Sequence, residues 1–226
     1  MYGSRPRHEQ LLNKSYFYFA DGKFYNSVTG LVSDKVKKII DISSFQGVID
    51  FTKVKREVDG IIVRIGYGTH IDSKFEEYIK QIKELKIPYG IYLYSYAENK
   101  EEAIKEAKFT EELIKKYDLN PKLGIYYDIE EIYIKGEKIY FTSELYQKVI
   151  ETYIKYLKNY DVSVYTYSKL YNYKLNKKTK KYVTWIAQYN YTFNYQETYK
   201  MWQYTNKGKI DGIDTNVDIN VMFIKE

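Results

Sequence analysis

The sequence predicts an α/β fold: a TIM-like β/α barrel with a degenerate second half, preceded by a short β-hairpin extension. Three observations carry this. From residue 38 to about 168, β-rich runs alternate with helical stripes, the pattern of βαβ units around a parallel sheet. About eight strand-like runs occur, with too few helices for a complete (βα)8 ring. Carboxylates recur late in these runs, where such barrels carry their chemistry.

The elements follow in order. KIIDISSF (38–45) and GIIVRIGYG (60–68) are β-rich. Phe75, Tyr78, Ile79, Ile82 and Leu85 form a helical stripe over 73–86, with Ser73 and Glu76 as a capping box. IPYGIYLYSYA (87–97) is the third strand. Asn99 with Glu102 opens a helix striped by Ala103, Ile104, Ala107, Leu113, Ile114 and Tyr117. LGIYYDIE (123–130) is the fourth strand. Leu145, Val149, Ile150, Tyr153, Ile154 and Leu157 mark a third helix, and VSVYTYS (162–168) the fifth strand. Helices then stop. VTWIAQY (183–189), YKMWQYT (199–205) and VDINVMF (217–223) are strands joined by polar loops.

Composition narrows the function. A chain of 226 residues, 44% hydrophobic and 29% charged, can bury a full core. No apolar run is long enough for a membrane span, and no signal peptide is visible at the N-terminus. The absence of cysteine excludes disulfides and thiolate chemistry. Two histidines, His8 and His70, are too few for a His-based metal site. A net charge of +6 favours an anionic partner. The basic residues are scattered and almost all lysine, which argues against nucleic-acid readout. Twenty-nine tyrosines suit sugar binding, where ring faces stack and hydroxyls hydrogen-bond, though tyrosine is also an ordinary strand residue.

The stretch GIYYDIEE (124–131) poses the chemical question. Residues i and i+2 of a strand share a face, so Asp128 and Glu130 stand together, roughly 6–7 Å apart at Cα. Like charges so placed repel, and folding does not require them. A solvated pair is the bland reading. The alternative is catalysis, and it gains weight because Asp41 lies late in strand one and Asp218 in strand eight, which closes beside strand one.

Several stretches also match a known family in its order: IIDISSFQGVIDF (39–51), GIIVRIGYGTHID (60–72), PYGIYLYSYA (88–97), GIYYDIEE (124–131), TWIAQYN (184–190), MWQYTNKGKIDGI (201–213) and VDIN (217–220). Over residues 38–226 the chain resembles the Chalaropsis-type lysozymes, glycoside hydrolase family 25. The resemblance implies a barrel of five helices and eight strands that cleaves the β-1,4 bond between N-acetylmuramic acid and N-acetylglucosamine of bacterial peptidoglycan. It implies Glu130 as general acid, Asp128 as stabiliser of the developing cation or orienter of the N-acetyl group, and Asp41 and Asp218 completing the acidic site. Tyr67, Tyr94, Tyr126, Trp185, Tyr189 and Trp202 sit in matched motifs and are expected to line the sugar groove, with barrel packing as the alternative for each. Tyr126 is preferred over Tyr127 because it shares a face with Asp128.

Arg64 and Gln188 are polar residues within apolar strands and need partners. Arg64 is expected either to orient the acids or to form a structural ion pair. Leu93 stands where the family often carries histidine. Lys169 and Lys174 could attract an anionic wall or belong to a solvated loop.

The expected organisation is an extension over 1–37 and a hydrolase barrel over 38–226. SYFYFADGKFYN (15–26) carries Asp21-Gly22 as a hairpin turn and resembles one repeat of the aromatic modules that bind wall polymers. A monomer acting at the cell wall on peptidoglycan glycan strands, outside the cell and with no cofactor, no metal, no nucleic acid and no membrane insertion, is the expectation. The competing readings are a non-catalytic wall-binding protein, a chitinase-like glycosidase, and a Mg²⁺ site built from the four carboxylates. The chitinase reading is weakened by the absence of a longer acidic string around 124–131.

Overall fold

The computed structural model describes residues 16–134, 137–139, 141–190 and 199–224; His8 and the rest of residues 1–15 lie outside it. The strands are β1 (Phe17–Ala20), β2 (Lys23–Asn26), β3 (Gly30–Ser33), β4 (Val36–Ile42), β5 (Gly60–Tyr67), β6 (His70–Ile71), β7 (Tyr89–Tyr94), β8 (Ile125–Asp128), β9 (Tyr133–Ile134), β10 (Glu137–Lys138), β11 (Val162–Tyr167), β12 (Val183–Ala187), β13 (Met201–Ile210) and β14 (Ile213–Phe223). The helices are α1 (Phe51–Val54), α2 (Phe75–Glu84), α3 (Lys100–Lys116), α4 (Ser143–Tyr156), α5 (Ser168–Tyr173) and α6 (Lys177–Lys180), with a 3₁₀ turn at Ser44–Gln46.

Eight strands close into a barrel in the order β4-β14-β13-β12-β11-β8-β7-β5, with β5 pairing back to β4. Neighbours from β4 through β5, β7, β8, β11 and β12 to β13 run parallel. β14 alone runs antiparallel to both of its neighbours, β13 and β4. Its direction follows from a tight turn: Asp211-Gly212 joins β13 to β14, and Gly212 holds φ 93, a conformation that favours glycine. This hairpin is longer than the sequence suggests, because residues 206–210 continue the strand instead of forming a polar loop.

Six helices are described where five were expected. The additional ones are short. α1, α5 and α6 have four to six residues, too few for a 3.6-residue stripe to show. Helices therefore do not stop after the fifth strand. α3 begins as its sequence implies, with the Asn99 side chain accepting from the Glu102 N–H at 2.9 Å. α2 does not. Its N-cap is Lys74 with no side-chain cap, and Ser73 takes no part. Asp72 instead accepts from the N–H groups of Lys74 and Phe75, through its side chain and its carbonyl.

Strand alternation sorts side chains into two cores. Outward residues such as Ile40, Val63, Leu93, Tyr127, Val164 and Ile186 join the main core beneath the helices. Inward residues Ile39, Ile62, Tyr126, Tyr165, Trp185, Ala187 and Met201 fill the lumen. At Gly90 an added Cβ would lie 2.7 Å from Ile62 Cδ1 and 2.8 Å from the Gly124 carbonyl, so only glycine lets these strands close.

In the N-terminal region β1, β2 and β3 form a three-stranded antiparallel sheet, one strand more than a hairpin. Phe17 and Phe24 are buried and meet Trp202 edge-on at 4.6 and 5.8 Å. Among the described residues no helix is long and apolar enough to cross a membrane.

Candidate active site

The site lies at the C-terminal ends of the parallel strands, above the lumen core. Its floor is Trp185, whose ring meets Tyr165 at 4.4 Å, Tyr126 at 5.0 Å and Tyr92 at 6.1 Å. The indole N–H can only donate, and it donates to Asn220 Oδ1 at 2.7 Å. This orients the Asn220 amide, so its Nδ2 donates to Asp41 Oδ2 at 2.7 Å.

Asp41 and Asp218 face each other directly across the β4–β14 ladder and hydrogen-bond through their side chains. Two buried carboxyls so close cannot both ionise, and they share a proton. Gln203 Nε2 donates to both, at 2.9 Å to Asp41 and 3.2 Å to Asp218. Asp41 also accepts from Asn220 and is the better-supported anion, although burial raises its pKa too. Burial, then the charge of Asp41, push Asp218 up to about 9. Gln203 Oε1 faces the other way and accepts from the hydroxyls of Tyr165 (3.1 Å) and Tyr189.

Asp128 ends β8, and Glu130 follows two residues later. Ser95 N–H donates to the Asp128 carbonyl at 3.0 Å, Ile129 N–H to the Tyr165 carbonyl at 2.9 Å, and the Thr166 hydroxyl to the Ile129 carbonyl at 2.7 Å. These bonds hold the segment that carries both acids. Burial raises Asp128 well above the usual carboxylate range, with Glu130 and Asp41 adding to it and Arg64 opposing. Among the described residues Asp128 Oδ1 is buried without a hydrogen-bond partner. Glu130 is raised chiefly by burial, while the Tyr165 hydroxyl stabilises its anion.

A cavity of about 370 Å³ holds Asp41, Asp128, Glu130 and Asp218 together with Arg64, Tyr92, Tyr94, Trp185, Tyr189 and Gln203. A second, of about 390 Å³, shares Glu130, Tyr165 and Tyr189 with the first and continues past Gln188. Glu130 therefore stands where the two meet. No three His, Asp or Glu side chains among the described residues are grouped so as to hold a metal ion.

The structure thus converges Asp41, Asp128, Glu130, Asp218, Arg64, Tyr94, Trp185 and Tyr189, and puts Gln188 in the adjoining cavity. Three residues expected in the groove lie elsewhere. Tyr126 faces inward as its parity requires, but one layer too deep; it is fully buried and donates to the Leu123 carbonyl at 2.9 Å. Trp202 points out of the barrel, under the N-terminal sheet. Tyr67 borders a separate cavity. Arg64 forms the ion pair, at 2.7 Å to Asp72, and also donates to Ser44 Oγ at 3.1 Å. Leu93 faces the outer core and does not touch the acids. Lys169 and Lys174 are exposed outside both cavities.

The sequence reading missed Tyr92, Tyr165, Gln203, Asn220 and the exposed Phe45. Two-residue alternation from Tyr94 and from Asp218 would have found Tyr92 and Asn220. Tyr165 is visible only once β11 is set in register with β8, where it pairs with Asp128.

The sequence profile of the glycosyl hydrolases family 25 matches residues 40–213. The autolytic lysozyme of Clostridium acetobutylicum is 31% identical over 186 residues, covering 81% of this chain and 55% of that protein. The modular autolysin LytC from Streptococcus pneumoniae superposes with a TM-score of 0.84 at 38% identity, over 93% of this chain and 52% of that one. A further LytC structure holds a synthetic peptidoglycan ligand. A family 25 glycosyl hydrolase from Bacillus anthracis shares the fold, with a TM-score of 0.70 at 18% identity over 99% and 96% of the two chains. The chain spans about half the length of the first two relatives. With the profile match covering most of its length, the chain belongs to the glycosyl hydrolases family 25.

Proposed function

We propose that the chain is an N-acetylmuramidase that cleaves the β-1,4 bond between N-acetylmuramic acid and N-acetylglucosamine in peptidoglycan, acting at the cell wall as a monomer. The observation that carries this reading is Glu130, a half-buried acid at the junction of two sugar-sized cavities above a layer of three further carboxyls. The glycan strand runs through both cavities, so the scissile oxygen lies at Glu130. The pneumococcal relative that takes a synthetic peptidoglycan ligand supports the substrate class, and the net charge of +6 suits an anionic wall.

Each residue then has a task. Burial raises the pKa of Glu130 above its ordinary 4.5 and so favours the protonated form that can donate to the glycosidic oxygen. The Tyr165 hydroxyl steadies the anion left behind, which goes on to activate water. Asp128 Oδ1, which has no hydrogen-bond partner among the described residues, is the acceptor for the substrate's acetamido N–H; burial and the neighbouring acids favour its neutral form, and a sugar ring turning cationic beside it draws the carboxyl toward its anion. Asp41 and Asp218, sharing one proton, hold a fixed charge beneath the ring without doubling it. Protons redistribute among the four acids as a coupled set.

Digestion of purified peptidoglycan, with products reduced and read by mass spectrometry, tests this. Muropeptides ending in reducing muramic acid are expected. Glu130→Gln should lower the rate by about 10²–10⁴-fold. Reducing glucosamine ends would mean a glucosaminidase. Binding to walls without any product would establish the non-catalytic reading.

A further inference from the structure

A third cavity, of about 430 Å³, opens between the β5–β6 turn and the loop after β7, lined by Tyr67, Gly68, Thr69, His70, Tyr96 and the helix residues that face them. It lies outside the acidic groove, yet it touches it twice. The Tyr96 ring meets Tyr94, a groove residue, at 5.3 Å. The Tyr67 ring lies 5.8 Å from the guanidinium carbon of Arg64, another groove residue. Tyr67 and Tyr96 meet each other edge-on at 6.2 Å, and His70 stacks on Tyr67 at 5.7 Å. Both tyrosines stay open to solvent, 38% and 42% exposed.

The backbone that presents Tyr96 is anchored by a buried carboxyl group. Glu106 on α3 is 2% exposed and has no part in the reaction proposed above. Its Oε1 accepts the Tyr96 backbone N–H at 2.7 Å. Its Oε2 accepts from Ser95 Oγ at 3.0 Å and from the Tyr127 hydroxyl. Across the cavity, Gly68 N–H donates to the Tyr94 carbonyl at 2.9 Å, tying the β5–β6 turn to β7. Both walls are therefore locked before any ligand arrives, which lowers the ordering cost of binding. An apolar ring face with a hydroxyl edge suits a pyranose, whose C–H face stacks while its hydroxyls hydrogen-bond.

We propose that this cavity is a distal saccharide platform: Tyr96 and Tyr67 hold a sugar of the glycan strand beyond those in the acidic groove, so the enzyme favours long strands over short ones. The platform rests on the muramidase reading for the identity of the strand. Glu106 acts as a positioning residue that presents Tyr96.

The test compares kcat/KM on synthetic muramyl glycans of two disaccharide repeats with those of four or more. The unmodified chain should prefer the longer glycan. Tyr96→Ala should lose that preference, about three- to tenfold on the long glycan, with little change on the short one. Tyr96→Phe keeps the ring and should keep the preference. An equal loss on both lengths, or none on either, overturns the platform. If the unmodified chain cleaves neither glycan, the muramidase reading fails separately. The affinity of the unmodified chain and Tyr96→Ala for the long glycan, by calorimetry, then decides the platform alone: weaker binding by the variant supports it, and equal binding overturns it.

Discussion

Trp185 and Trp202 are both fully buried, on neighbouring strands, in motifs that look equally functional. They lie on opposite sides of one sheet. Trp185 faces the lumen, and its N–H starts the chain of bonds through Asn220 to Asp41. Trp202 faces outward, its N–H satisfied by the Gln188 carbonyl at 2.9 Å and its ring packed on Phe17 and Phe24. The ladder pairs Trp202 with Ile186, so the two indoles are one residue out of step. A one-residue offset moves a side chain to the other face. Strand parity, and not residue type, therefore separates the tryptophan that orients an acid from the one that fastens an accessory sheet.

The contrast can be broken experimentally, and the largest effect belongs outside the barrel. Trp202→Ala should cost about 3–5 kcal/mol in denaturant unfolding, because it empties the space beneath Phe17 and Phe24. The enzyme that remains folded should keep its pH profile; an altered profile would show that the outer face reaches the acids. Trp185→Phe keeps most of the packing but removes the N–H that orients Asn220. Its kcat should fall about tenfold or more, while stability falls by only about 1 kcal/mol. Equal losses in both would make Trp185 merely a second structural tryptophan.

The smallest effect sharpens the difference between the two regions. Burial and Asp41 hold Asp218 at about 9, against its ordinary 3.8. Between these values the folded protein binds a proton that the unfolded chain does not. The stability this supplies is complete below 3.8 and drains away as pH rises toward 9. Asp218→Asn escapes that loss. It should unfold harder than the parent at pH 8, with little difference at pH 4. The same difference at both pH values would remove the shared proton. Its activity should fall as its stability rises, the exchange expected where a site is held against the preference of the fold.

Local information carried much of this molecule. Asp128 and Glu130 are two residues apart, so chain proximity alone makes them neighbours even though β8 ends at Asp128, short of the strand expected over 123–130, and GIYYDIEE could be read without any fold. Asn99 could be read as a cap because its partner is three residues away. The Ser73 cap failed for the converse reason: Asp72, drawn in by Arg64 at 2.7 Å, takes its place, and that ion pair follows from the hairpin returning β6 onto β5.

What the sequence determined by itself was the eight barrel strands, their order along the chain and the close acid pair Asp128 and Glu130, because periodicity and spacing are local quantities. What only the tertiary structure decided was depth and closure. Asp41 and Asp218 are 177 positions apart in the chain, and they meet because β14 runs antiparallel and pairs them in register. Tyr126 and Asp128 share a face, yet one lies in the floor and the other in the site, because the lumen closes over the lower layer. Burial and register are properties of the closed barrel, and they decide which carboxyls share protons and which rings remain open to solvent.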